Sequence, residues 1–235
     1  MKVSVILPTY NERDGIVSLV EEILATGRQA SLDLEVVVVD DDSPDGTSAA
    51  VRSAFAANPS VRVEVRRGER GLATALRRGI ELASGDTVVL MDSDGNHSPA
   101  RIPLMARLAQ EFDLVVGSRY VAGGGMRTSR FRFWGSYAFN LLARSLLGLW
   151  INDNLSGYLA FRKALLEGCP WERIFYGYGD YAVRLIFWLT RRGGSVLEVP
   201  VVYEFRRGGE SKTRFLAYLG TYLAAILRLR LSGLR

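Results

Sequence analysis

The sequence predicts an α/β domain in which a mostly parallel sheet is covered by helices on both faces. The first 120 residues alternate five short apolar runs, at 3–7, 34–39, 61–65, 87–91 and 114–116, with segments of helix length. Short apolar runs alternating with helix-length segments are the pattern expected of a parallel sheet covered on both faces. A chain of 235 residues that is 48% hydrophobic and 23% charged also has enough apolar material for one such core.

Each element follows from local chemistry. The first run stops at Pro8, the second at three consecutive aspartates, Asp40 to Asp42, and the fourth at Asp92. Helices are expected at 15–26, 47–57, 71–83 and 99–110, each opening near Gly, Pro, Ser or Thr and closing near Gly or Asn. This half is Rossmann-like. After Tyr120 the composition changes: glycines 123–125 predict a flexible loop, and 131–150 predict a helix with few charges. The section 156–205 predicts a helix near 181–191 and strands at 196–199 and 201–205, and 213–235 an amphipathic C-terminal helix. No repeat or linker interrupts the chain, so one globular unit is expected.

Composition narrows the chemistry. One cysteine, Cys169, excludes an intrachain disulfide, and one histidine, His97, argues against a Cys/His zinc cluster, so a metal here needs carboxylates. Thirty Lys and Arg outweigh 25 Asp and Glu, and the arginines gather at 119–144 and toward the C-terminus. Nucleic-acid binding calls for a more pervasive basic surface and leaves the strand-end acids unexplained, so no nucleic-acid partner is expected. The run 3–7 is too short for a secretory signal, which predicts a cytoplasmic protein.

Ligands of an open parallel sheet gather beyond the C-terminal strand ends, where this chain places its acids. Asp92-Ser93-Asp94 offers two hard carboxylates for Mg²⁺ or Mn²⁺, with coordination positions left for a diphosphate, and Asn96 adds another oxygen. An Asp-x-Asp near glycine also reads as a simple turn; the buried strand before it favours the ligand site. Asp41 can accept hydrogen bonds from a base or ribose, whereas Asp45 and Gly46 suit a turn that caps the helix from Thr47.

Four ordered motifs carry a family resemblance: Ile6-Leu7-Pro8-Thr9-Tyr10-Asn11-Glu12, Val38-Val39-Asp40-Asp41-Asp42-Ser43-Pro44-Asp45-Gly46-Thr47, Gly71-Leu72-Ala73-Thr74-Ala75 and Met91-Asp92-Ser93-Asp94. Together they resemble family 2 glycosyltransferases, in particular dolichol-phosphate mannose synthases. Gly117-Ser118-Arg119-Tyr120 and Glu210-Ser211-Lys212 extend the resemblance toward the polyprenyl-phosphate branch. It implies a GT-A fold and inverting, metal-dependent transfer of a hexose from a nucleotide-sugar, GDP-mannose or UDP-glucose, to a polyprenyl phosphate.

It further implies that 1–120 bind the donor, through Pro8, Tyr10, Glu12, Asp41, Asp92 and Ser93, and that Asp92, Asp94 and Asn96 hold the metal. Residues 121–212 form the acceptor side. Asp94, Arg119, Arg132 and Lys212 are the implied catalytic set, and Ser136, Arg206, Arg207 and Ser211 the acceptor-phosphate contacts, with the choice between Arg206 and Arg207 open. Asp153, Ser156 and Gly157 match a further motif of the family. Two departures, Leu159 in place of a usual arginine and a short segment at Gly179-Asp180, bear on the sugar and acceptor more than on the reaction class.

Arg132, Ser136, Asn140 and Arg144 recur every fourth residue in an otherwise apolar helix, giving one polar stripe. Such a helix suits an anionic head group at a lipid surface, or else a core position with one wet edge. The C-terminal helix has no charge from 215 to 227, too few residues to cross a bilayer, and suits either the membrane interface or packing on the domain. Peripheral contact at the inner membrane face is the expectation. Gly177-Tyr178-Gly179-Asp180-Tyr181-Ala182 fits a loose dinucleotide fingerprint but has no strand before it. The alternatives that remain are glucosyl transfer, a saccharide acceptor, or a non-catalytic membrane module.

Overall fold

The computed structural model describes residues 1–127, 130–206 and 215–234, without the side chains of 215–219. In chain order the elements are β1 (Lys2–Thr9), α1 (Arg13–Gln29), β2 (Asp33–Asp40), α2 (Thr47–Ala54), β3 (Val61–Val65), α3 (Leu72–Leu82) and β4 (Thr87–Leu90). A 3-10 turn (Pro99–Arg101) leads into α4 (Ile102–Leu108), then β5 (Leu114–Ser118), β6 (Gly125–Met126) and α5 (Arg130–Leu147). β7 (Leu159–Arg162), α6 (Trp171–Ile174), α7 (Tyr181–Arg191), β8 (Val196–Pro200), β9 (Val202–Tyr203) and α8 (Phe215–Ser232) complete it.

Seven strands form one sheet in the order β3-β2-β1-β4-β7-β5-β8, and all but β7 run parallel. The predicted strands and helices of the first half are present. They are adjusted at their ends: α2 stops at Ala54, and the predicted 99–110 helix divides into the 3-10 turn and α4. Pro103, in the first turn of α4, lacks the N–H that a continuous helix would need.

Two features differ from the sequence reading. The loop expected to be flexible at 123–125 runs into β6, which pairs in parallel with β9. β7 was not expected at all. It has four residues and no β-branched side chain, yet it lies in the middle of the sheet between β4 and β5.

Strand alternation divides the core. Val3, Val5, Leu7, Val36 and Val38 face α1 and α4 residues such as Leu19, Ile23 and Met105, while Ile6, Val37 and Val39 join Leu76 and Ile80 of α3 on the other side. α3 can lie so close to β1 because position 79 is glycine; a Cβ there would sit 2.2 Å from Ile6 Cγ2. On that second side α8 packs against α5 and α7 and buries Tyr222, Ile226 and Leu229.

The α5 stripe faces inward. Ser136 and Asn140 are buried, and Arg144 Nη1 donates to Asn152 Oδ1 at 2.6 Å. The outer side carries Phe131, Trp134, Leu141 and Leu142, with Phe131 78% exposed. The stripe is therefore the protein-facing side of the helix, contrary to a core helix with one wet edge.

Candidate active site

Parallel strands deliver their following loops to one end of the sheet, and the reversed strand β7 delivers its beginning there. The segments after β1, β2, β4 and β5 thus meet residues 153–158 around a cavity of about 560 Å³. Pro8, Tyr10, Glu12, Asp41, Asp92, Ser93, Asp94, Asn96, Arg119, Arg132, Ser136 and Arg206 all line it. Twelve residues spread over 199 positions of sequence are brought to one site. Lys212, Arg207 and Ser211 lie outside the described residues.

Asp41, directly after β2, is already engaged. Arg66 Nε donates to its Oδ1 at 2.8 Å and the Gly71 N–H to its Oδ2 at 2.8 Å, while Arg66 Nη1 also reaches Thr74 Oγ1 at 2.9 Å. Arg66 was not singled out from sequence; it fastens the Gly71-Leu72 turn to the strand-end acid. The guanidinium of Arg70 lies 4.4 Å from the centre of the Tyr10 ring. Ser93 donates its hydroxyl to Pro8 O at 2.7 Å, which locks the 92–94 loop to the end of β1.

Asp45 has the capping role expected of it, accepting from the Thr47 N–H at 2.9 Å. Asp40 is fully buried and receives Thr9 Oγ1 and the Ser43 N–H, so it organises its turn.

Asp94 is held from two sides. The Asn96 N–H donates to Oδ1 at 2.9 Å and the Asn96 amide to Oδ2 at 2.7 Å, so Asn96 braces Asp94 here. Arg206 then joins Asp94 Oδ2, at 2.7 Å, to Glu12 Oε1, at 2.8 Å. It reaches there because the Glu204 N–H is bonded to Asn96 O at 2.9 Å, tying the chain after β9 to the acidic loop.

Asp92 is different: among the described residues no donor reaches its carboxylate within hydrogen-bonding distance. Burial pushes it up to about 6, against the pull of Arg206 and Arg119, and burial together with Asp92 raises Asp94 as well. Gly157 gives it room, since a Cβ there would lie 3.1 Å from Asp92 Oδ1.

These residues fit a divalent cation. Asp92 and Asp94 present hard oxygens from one loop, and Arg206 pairs directly with Asp94 but not with Asp92. Among the described residues no group of three His, Cys, Asp or Glu converges on one point.

Arg119, expected in the catalytic set, is held by Asp153. Its guanidinium is clamped by Asp153, Nε to Oδ2 at 2.8 Å and Nη2 to Oδ1 at 2.7 Å, with side chains 8% and 0% exposed. It also borders the cavity. Arg132 and Ser136 line the cavity with Met126, Leu155 and Tyr222.

Sequence reasoning missed the wall formed by Tyr178, Gly179 and Tyr181. It lies within the dinucleotide fingerprint, whose missing strand is confirmed: α6 precedes it. Arg184, 1% exposed, fixes this wall by pairing with Asp180 and donating from Nε to Ile174 O at 2.9 Å.

Comparison with known proteins identifies the family. The model for "Glycosyl transferase family 2" matches residues 4–169. The chain is 37% identical over 224 residues to the dolichol-phosphate mannosyltransferase of Pyrococcus furiosus, covering 91% of this chain and 60% of that protein's length. It is 38% identical over 220 residues to the undecaprenyl-phosphate mannosyltransferase of Micrococcus luteus, covering 90% and 87% of the two.

Among solved structures, glucosyl-3-phosphoglycerate synthase from Mycobacterium tuberculosis, in complex with Mn²⁺, uridine diphosphate and glucosyl-3-phosphoglycerate, superposes with a TM-score of 0.73. The identity is 24%, over 97% of this chain and 79% of that one, and the likeness establishes a shared GT-A fold. From the strand-end acids, the fold that assembles them and the extent of the match, the chain belongs to glycosyl transferase family 2.

Proposed function

We propose that this chain transfers mannose from GDP-mannose to a polyprenyl phosphate, with inversion at the anomeric carbon and with Mg²⁺ or Mn²⁺ as cofactor. The observation that carries this reading is one cavity with a carboxylate end, at Asp92 and Asp94, and an arginine-serine end on α5, whose other side is exposed and apolar. The names of the two mannosyltransferase relatives support the sugar and the lipid acceptor. Because the chain spans 60% of the Pyrococcus protein, the reading concerns the transfer reaction alone.

A divalent cation at Asp92 and Asp94 supplies charge neutralisation for the donor diphosphate and the departing nucleotide. The chain's own residues do the rest. Tyr10, Pro8 and Asp41 bound the nucleotide, with Arg66 holding Asp41 in place. Arg132 and Ser136 orient the acceptor phosphate, and Arg206, poised between Asp94 and Glu12, offsets repulsion between the phosphates. A phosphate monoester is largely dianionic at neutral pH, its second pKa being about 6, so attack needs no strong general base. Tyr178, Gly179 and Tyr181 shield the reacting centre from water.

The apolar acceptor side is proposed to rest on the inner membrane face. Phe131, Trp134 and Leu142 on α5 and Leu223, Leu227 and Leu231 on α8 are exposed, and α5 packs on α8. No helix among the described residues is long and apolar enough to cross a membrane.

The test is to incubate purified protein with Mn²⁺, a short polyprenyl phosphate and, separately, GDP-mannose and UDP-glucose, following lipid-linked sugar by mass spectrometry. Mannosyl lipid lost on adding EDTA is expected. Product from UDP-glucose alone overturns the donor, and product that persists in EDTA overturns the metal.

A further inference from the structure

The one histidine of the chain takes no part in the transfer drawn above, yet it lies against its metal loop. His97 is 1% exposed, and its Nδ1 accepts the Asp92 N–H at 3.1 Å. A ring nitrogen that accepts carries no proton, so in the neutral ring the proton is on Nε2. That Nε2 is 3.7 Å from Asp92 Oδ2, too far for a hydrogen bond, and has no other partner among the described residues.

The ring has little freedom to turn elsewhere. It stacks on Tyr158 with centroids 4.8 Å apart and meets Tyr203 edge-on at 4.6 Å. Those two rings are fixed in turn: Tyr158 donates its hydroxyl to Ser98 O at 3.0 Å, and the Arg119 guanidinium lies 4.6 Å from the Tyr203 ring centre. The Asp92 carboxylate is thus flanked by Gly157 at Oδ1 and by an orphaned, immobile donor at Oδ2.

Resting on the metal reading of Asp92 and Asp94, we propose that His97 is a positioning residue: its Nε2–H donates to Asp92 Oδ2 when the carboxylate engages a divalent cation, fixing which oxygen the cation meets. The orphaned buried donor gains its partner in that state, and the carboxylate loses a rotation it otherwise spends on binding.

Three variants separate the roles of the ring. His97→Phe keeps the stack and removes both nitrogens, His97→Asn keeps an acceptor near Nδ1, and His97→Gln keeps a donor near Nε2. Mn²⁺ affinity in the presence of GDP is read from the free-Mn²⁺ paramagnetic resonance signal, with thermal unfolding and metal-free GDP binding as controls. Phe and Asn are each expected to weaken Mn²⁺ binding about ten-fold or more, and Gln to stay within about three-fold of wild type, with metal-free GDP binding held.

Wild-type Mn²⁺ affinity in His97→Phe overturns the proposal, as does recovery by Asn but not Gln, which would assign His97 to the backbone contact alone. A parallel loss of metal-free GDP binding overturns it too, as a structural effect. Absence of Mn²⁺ binding in the wild type instead refutes the metal reading itself. If the Phe variant does not fold, the Asn and Gln pair decides.

Discussion

Replacing Asp153 by Asn isolates the role of the buried pair behind the cavity. Asp153 is 0% exposed and takes three donors from one residue: the Arg119 N–H at 3.0 Å, Nε at 2.8 Å and Nη2 at 2.7 Å. Asn keeps the shape but removes the charge and turns one acceptor into a donor that faces a guanidinium. Arg119 is then a buried cation without a counter-charge, and removing one partner of such a pair costs about 3–5 kcal/mol.

A chain of this size moves its melting temperature by about 2–4 °C per kcal/mol, so a fall of about 6–20 °C is expected. Urea unfolding followed by circular dichroism gives the free energy directly. Arg119→Met combined with Asp153→Leu removes both charges and is expected to recover most of the loss, because an apolar pair of similar volume replaces the ions. An Asp153→Asn protein within about 1 kcal/mol of wild type would refute the assignment of Arg119 to Asp153, and would return its charge to the substrate phosphates.

Gly157→Ala would bring a methyl to 3.1 Å from Asp92 Oδ1 and displace it; Mn²⁺-dependent turnover should fall about ten-fold, since small misplacements near reacting groups are costly, and unchanged kinetics would contradict the crowding. Glu35 is held below the usual carboxylate range: burial raises it, but hydrogen bonds from Ser4 and Ser84 and the charge of Lys2 outweigh that. Its folded value being depressed, its contribution is present above the unfolded value of 4.5 and is lost as pH falls through the folded one. Glu35→Gln should therefore flatten the acid side of the stability profile below about pH 5, and an unaltered acid limb in urea titrations speaks against it. Trp134→Ser with Leu227→Ser removes two exposed anchors that contribute about 1.5–3 kcal/mol each when buried; sedimentation with anionic vesicles should show at least a ten-fold weaker association, and equal binding would exclude this face.

Strands and helices of the first half are legible in the sequence because each depends on its own residues: a continuous apolar run, a proline, an aspartate at a turn. The acidic loop was legible for the same reason, since Asp92 and Asp94 follow a strand that the sequence itself marks. β7 was not legible. Leu159 to Arg162 carry no strand signature, and they form a strand because β4 and β5 both present an open edge for pairing.

The α5 stripe was visible as a pattern, but a period of four gives a face without saying where it points. Only the partners Asn152, Asn154 and the cavity turn it inward. Likewise an arginine in a list of arginines does not reveal its partner. Arg66, Arg119 and Arg206 are distinguished by which carboxylate lies within 3 Å, and those carboxylates are 25, 34 and 112 or 194 positions away in sequence. Sequence alone determined the chemistry available at the strand ends; tertiary structure decided which charges cancel one another and which face a substrate, because Coulomb and hydrogen-bond energies depend on distances that only the folded chain sets.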